Sequence, residues 1–257
     1  MASPSASLSS RIQENITYPS PGADGQEAAI QAFLAVPSDS VPEAGRGSVI
    51  VIHEIFGLTD HIRSIASRLA QAGYMALAVD FFTREGPAPD MAQGFPLLRQ
   101  FVGSISDAQL MADIRAGANY LQQQPESNGK VGVVGFCWGG RISMLSCAYA
   151  PEIAASVAYY GRISGDRTDR QPTFPIDVVE QMQSPLLGHF GATDAGIPPA
   201  EAERLRAALE AYHKTGEIHV YEGAGHAFNN DTRESYNAEA AQQSWEHTLD
   251  WYAKYLK

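Results

Sequence analysis

Residues 130–140 read KVGVVGFCWGG, and the fold follows from this run. Its first seven residues are short, apolar and β-branched, which reads as a buried strand. A helix from about Trp138 to residue 148 follows with no room for a loop. Cys137 stands where the one turns into the other, in the spacing Gly-x-nucleophile-x-Gly, with cysteine where serine is usual. Such an elbow needs glycine at 135 and 139, because side chains there would collide with the neighbouring strand and helix. It also aims the sulfur at a helix N-terminus, whose partial positive charge favours thiolate. Taken alone, Cys137 could equally be a buried structural cysteine. A dinucleotide loop is a poorer reading, since the Gly-x-Gly-x-x-Gly spacing is absent.

Outward from this run, β-branched stretches alternate with amphipathic ones. Residues 48–53, 75–80, 153–160, 186–190 and 217–221 read as strands. Residues 60–72, 107–123, 198–213 and 238–256 read as helices, and residues 83–101, with Pro87, Pro89 and Pro96, as irregular. Residues 30–36 are expected to add an antiparallel edge strand. Alternation of this kind means βαβ units: a doubly wound, mostly parallel α/β sheet with helices on both faces. About 25 residues separate the strands ending at Tyr160 and starting near Leu186, too few for a separate cap domain. Residues 1–12, rich in Ser and Ala, are expected to be a disordered tail, and residues 13–257 a single domain.

Ligands of such sheets bind beyond the carboxyl ends of the strands. Two further residues stand there: Asp194 in Gly-Ala-Thr-Asp and His226 in Gly-Ala-Gly-His. Singly they would be a helix cap and a turn. Together with Cys137 they give nucleophile, acid and histidine in the order of α/β-hydrolases. A free thiol near pKa 8.5 is only a few per cent ionised at neutral pH, so His226 is expected to act as its base. Asp194 would fix the histidine tautomer and stabilise imidazolium. The amides of Trp138 and Ile55 are the candidate oxyanion donors.

The chain has 18 Lys+Arg against 29 Asp+Glu, net −11, which disfavours nucleic acid and anionic membrane as partners. No apolar run approaches the roughly 20 residues that span a bilayer, and the N-terminus lacks a secretion signal. With two cysteines too far apart along one helix to pair, a cytoplasmic protein is expected. His53-Glu54 does not continue into a zinc motif, since position 57 is Gly, and no other cluster suggests a metal. No cofactor is expected, and the expected partner is a small-molecule lactone or ester.

The islands at residues 53–58 (HEIFGL), 79–84 (VDFFTR), 128–140 (NGKVGVVGFCWGG), 158–161 (AYYG) and 223–228 (GAGHAF) resemble the dienelactone hydrolases, also called carboxymethylenebutenolidases. The resemblance implies an α/β-hydrolase fold and a Cys137–His226–Asp194 triad that opens a small lactone or ester. It also implies that Glu54 pairs with the resting thiol and takes its proton when substrate displaces it. Of the two arginines that hold the substrate carboxylate, Arg84 matches the first. Asn230 occupies the place of the second and brings no charge. Tyr160 and Phe228 are candidate walls of the pocket, with Phe82 and Phe95. The family implies a monomer or weak homodimer. Two other readings stay open: a general carboxylesterase, and a non-catalytic binder or thiol redox sensor on the same fold.

Overall fold

The computed structural model describes residues 10–257. Eight strands form one sheet: β1 (Ser10–Ser20), β2 (Ala28–Pro37), β3 (Arg46–Ile52), β4 (Met75–Val79), β5 (Ser127–Phe136), β6 (Ile153–Tyr159), β7 (Leu186–Gly191) and β8 (Gly216–Tyr221). Their order is β1-β2-β4-β3-β5-β6-β7-β8. β1 pairs antiparallel with β2 and β2 with β4, while every pair from β4 to β8 is parallel. The α-helices are α1 (Asp60–Gln71), α2 (Phe95–Ser104), α3 (Asp107–Gln122), α4 (Trp138–Tyr149), α5 (Pro199–Ala211) and α6 (Ala238–Tyr255).

The central strands β3 and β4 are buried at every position because both faces are covered. In β3, Ile50 and Ile52 pack with residues of α2, α3 and α4, whereas Val49 and Val51 pack with α1 and α6. Side chains alternate in direction along a strand, so neighbouring residues feed opposite cores. Each fully buried Ile or Val contributes roughly 1.5–3 kcal/mol. The helices dock on the sheet through their apolar stripes: Ile62, Ile65 and Leu69 of α1, and Leu110, Ile114 and Leu121 of α3, are all buried.

Three expectations are corrected. The strand expected at the edge is β2, and it lies inside the sheet; the edge is β1. Ser10–Ile12, assigned to a tail, belong to β1, and residues 1–9 lie outside the described residues. Tyr18 supplies the physical reason: it is buried, and its hydroxyl donates to the Asp113 carbonyl of α3 at 3.0 Å, which ties β1 down. The segment after β4 also holds a helix, α2, where an irregular loop is expected. Between β6 and β7 lie two short 3-10 turns, Pro175–Asp177 and Val179–Gln181. Among the described residues no helix is long and apolar enough to cross a membrane.

Candidate active site

The turn from β5 into α4 places Cys137 at φ +55°, a left-handed conformation that side chains rarely adopt. The surrounding glycines make it possible. A Cβ on Gly135 would lie 1.9 Å from the Gly139 carbonyl oxygen, and one on Gly139 would lie 2.4 Å from that of Ile52. Strand and helix can therefore approach this closely only as glycine backbone, which is why the elbow is forced at this point of the chain.

The loops after β7 and β8 bring the other two residues to the sulfur. His226 Nε2 stands 3.2 Å from Cys137 Sγ, and His226 Nδ1 stands 2.7 Å from Asp194 Oδ2. The second Asp194 oxygen accepts from the backbone N–H groups of Gly196 and Ile197 at 2.8 and 3.2 Å. Burial alone would raise the Asp194 carboxyl, but His226 and these two amides outweigh it and hold the carboxyl below its usual range. Burial also works against a charged His226. Hydrogen bonds to Asp194 and Cys137 outweigh it and push the imidazole up to about 10. The arrangement can accept a proton from sulfur and keep it, the requirement for a thiol nucleophile.

The two candidate oxyanion donors are set by different means. Trp138 opens α4, so its N–H has no intrahelical acceptor. The Ile55 N–H makes no backbone hydrogen bond among the described residues. Its direction is fixed by His53, a residue whose role the sequence does not reveal. The fully buried His53 ring accepts the Phe81 N–H at Nε2, 3.2 Å away, so the ring proton sits on Nδ1 and is donated to the Glu54 carbonyl at 2.6 Å. Burial pushes His53 down to about 4, which keeps it neutral. The Glu54 carbonyl and the Ile55 N–H belong to one planar trans peptide, so turning the carbonyl toward His53 turns the N–H the opposite way.

Glu54 is buried, but its partner is not the thiol that the resemblance implies. Its Oε2 accepts from Asn230 Nδ2 at 3.0 Å. Asn230 is itself held by Thr232, whose N–H and hydroxyl donate to Asn230 Oδ1 at 3.0 and 2.7 Å. Burial raises the Glu54 carboxyl, and Arg233, Asn230 and His226 oppose the rise. Arg233 lies over the Phe56 ring at 4.4 Å and is the cation beside Glu54. Its place in the loop that carries His226 is a signal the sequence offers, but the contact with Glu54 is tertiary.

The expected substrate contacts are rearranged. Arg84 is committed to structure: it pairs with Asp113 at 3.2 Å and donates to the carbonyls of Ser20 and Gln26 at 2.9 Å each. This ties β1 and the following turn to α3, and it is not a group turned to the triad. Asn230 is spent on Glu54. Phe228 is fully buried behind Tyr160 and is core, not wall. Tyr160 stays at the site, its ring centroid 5.2 Å from that of His226. Its buried hydroxyl has no hydrogen-bond partner among the described residues, and burial, Glu54 and Cys137 together raise it well above its ordinary value. Phe82 lies against His53 and Trp138, and Phe95 is exposed on α2.

Residues 30–256 match the family model described as the dienelactone hydrolase family. An Escherichia coli K12 protein provisionally named a carboxymethylenebutenolidase is 38% identical over 89% of this chain and 89% of its own length. A Methylorubrum extorquens protein with the same provisional name is 38% identical over 90% of this chain and 78% of its own. Among solved structures, a Klebsiella pneumoniae protein provisionally assigned as a dienelactone hydrolase superposes with a TM-score of 0.87 at 37% identity, covering 95% of this chain and 99% of that one. The Pyrococcus furiosus esterase Pf2001, at 16% identity and a TM-score of 0.67, shares the fold. With its mixed eight-stranded sheet and these relatives, the chain belongs to the dienelactone hydrolase family of α/β-hydrolases and is a hydrolase.

Proposed function

We propose that the enzyme hydrolyses a neutral ester or lactone by acyl transfer through Cys137. The observation that carries this reading is the unbroken hydrogen-bond chain from Asp194 to His226 to Cys137. His226 takes the thiol proton, and sulfur bonds to the carbonyl carbon. The oxyanion is held by the Ile55 and Trp138 amides, then the carbon–oxygen bond breaks and the leaving oxygen takes the proton from His226. Water, deprotonated by His226, next attacks the thioester. It releases the acid and returns the thiol.

Two features support a neutral substrate over the acidic lactone that the resemblance implies. Arg84 is consumed by Asp113, and Asn230 by Glu54. Arg233 balances the charge of Glu54. With Asn230 holding Glu54, the carboxyl group is a fixed neighbour of His226 rather than a gate on the thiol. Both cysteines are free thiols, which supports the cytoplasm as the place of action.

The test is turnover of a neutral aryl ester and of a carboxylate-bearing dienelactone by the native enzyme and by Cys137→Ala. The expected result is preference for the neutral ester and a loss of about 10³-fold or more in the variant. Native-level turnover by Cys137→Ala would remove the nucleophile. Preference for the acidic lactone would overturn the neutral-substrate reading.

A further inference from the structure

A cleft of about 990 Å³ opens beside the site, at the carboxyl ends of β3 and β4. Its walls join apolar residues, Phe56 of the loop after β3, Phe82 and Ala88 of the segment after β4, and Met91, to polar ones that include Arg63 and Asp80. None of the triad lines it. It is as large as cavities that hold drug-sized ligands.

Strand order places this cleft relative to the chemistry. Cys137 follows β5; β3 and β4 lie on one side of β5, and β6, β7 and β8 on the other. Asp194 and His226, at the ends of β7 and β8, therefore approach the sulfur from the side opposite the cleft. Two strand spacings, roughly 10 Å, separate β4 from β5. A leaving oxygen must face His226 to receive its proton, and the carbonyl oxygen must face the Ile55 and Trp138 amides. The remaining substituent of the carbonyl carbon, the acyl group, is then directed toward β3 and β4. Phe82 lines the cleft, and its ring packs on His53, which orients the Ile55 amide, and on Trp138, at 4.5 and 5.7 Å centroid to centroid. A second observation concerns Met91, which lines the cleft, and the first turn of α2 that follows it in the chain. Met91, Phe95 and Leu97 are 46%, 48% and 43% exposed, and they account for half of the large exposed apolar side chains among the described residues. Exposed apolar side chains gathered in one place mark a binding surface.

We propose that this cleft receives the acyl group of the substrate, and that the substrate class is esters of medium-chain or comparably bulky apolar acids. The inference rests on the triad reading above. The chain reaches past Phe82 and buries its methylenes against Phe56, Ala88 and Met91, while the alcohol leaves on the His226 side.

The experiment compares kcat/KM for p-nitrophenyl acetate and p-nitrophenyl octanoate, with the native enzyme and with Ala88→Trp and Met91→Asp. The octanoate-to-acetate ratio is expected to be at least about tenfold in the native enzyme, the equivalent of burying about two methylenes. It is expected to fall several-fold in both variants, the one filling the cleft and the other charging its rim. Because the readout is a ratio within each variant, partial loss of folded protein does not move it. A native ratio at or below one, or a ratio unmoved in both variants, overturns the cleft assignment while leaving the triad in place. Absence of turnover with either ester overturns the triad reading, and the cleft assignment with it.

Discussion

Asn230→Asp is nearly isosteric, and it isolates what holds Glu54. The variant keeps the Oδ1 that accepts from Thr232 and replaces the Nδ2 donor with a second carboxylate oxygen. Two carboxylates would then face each other at the 3.0 Å now spanned by the hydrogen bond. At an effective dielectric near 20, two unit charges at that distance repel by about 5 kcal/mol. The pair avoids part of this by keeping one shared proton, so one carboxyl is expected to stay protonated through neutral pH. The sign follows from linkage. In the variant the folded state binds a proton that the unfolded state has released, so stability is lost as pH rises above the unfolded carboxyl values, near 4. The expected destabilisation relative to native is about 3–5 kcal/mol at pH 8 and below about 1 kcal/mol at pH 4.5. Urea unfolding at both pH values measures it, with an unchanged m-value as the check that the same transition is followed. A destabilisation that does not depend on pH, or one under about 1 kcal/mol at pH 8, would refute the pairing of Asn230 with Glu54.

Asp194→Asn tests the raised His226. A folded-state value of about 10, above the ordinary 6.5, stabilises the fold fully below pH 6.5, and that stabilisation is lost as pH rises toward 10. Since the imidazole is 41% exposed, screening reduces the effect, and the variant should lose about 1–3 kcal/mol at pH 6 and much less at pH 10 by denaturant unfolding. His53→Leu removes the donor to the Glu54 carbonyl; kcat should fall about 10- to 100-fold with KM little changed, and equal losses in both would point to binding rather than to the oxyanion. Arg141→Met leaves the Asp107 carboxylate, bound by both guanidinium arms at 2.7 Å, without its partner in the interior; about 3–5 kcal/mol of stability should be lost in a urea titration.

The parts of the site legible in the sequence are those written in local spacing. Cys137, Asp194 and His226 each follow a strand at a glycine-rich turn, so alternating pattern and turn chemistry suffice to find them. What escaped depends on contacts between distant segments. Arg84 matches a family position, yet the choice between a substrate and Asp113 is made by where α3 packs. Arg233 and His53 have roles only through Glu54, which tertiary structure brings to them. Among the elements, β1 is an edge strand with Pro19 and a polar outward face, a composition that reads as tail or loop. Its inward alternation of Ile16, Tyr18 and Ser20 is the signal that was available. α2 hides behind Pro96, which suits the first turn of a helix but reads, with Pro87 and Pro89, as a break.

The proposed catalysis passes through a covalent bond between substrate carbon and Cys137 sulfur. The most direct measurement is rapid acid quench of the native enzyme during turnover of an aryl ester, followed by peptide mapping by mass spectrometry. A thioester on the peptide that carries Cys137, absent from Cys137→Ala and gone once substrate is exhausted, is the predicted result. Turnover with no adduct on Cys137, or with an acyl group on another residue, would contradict it.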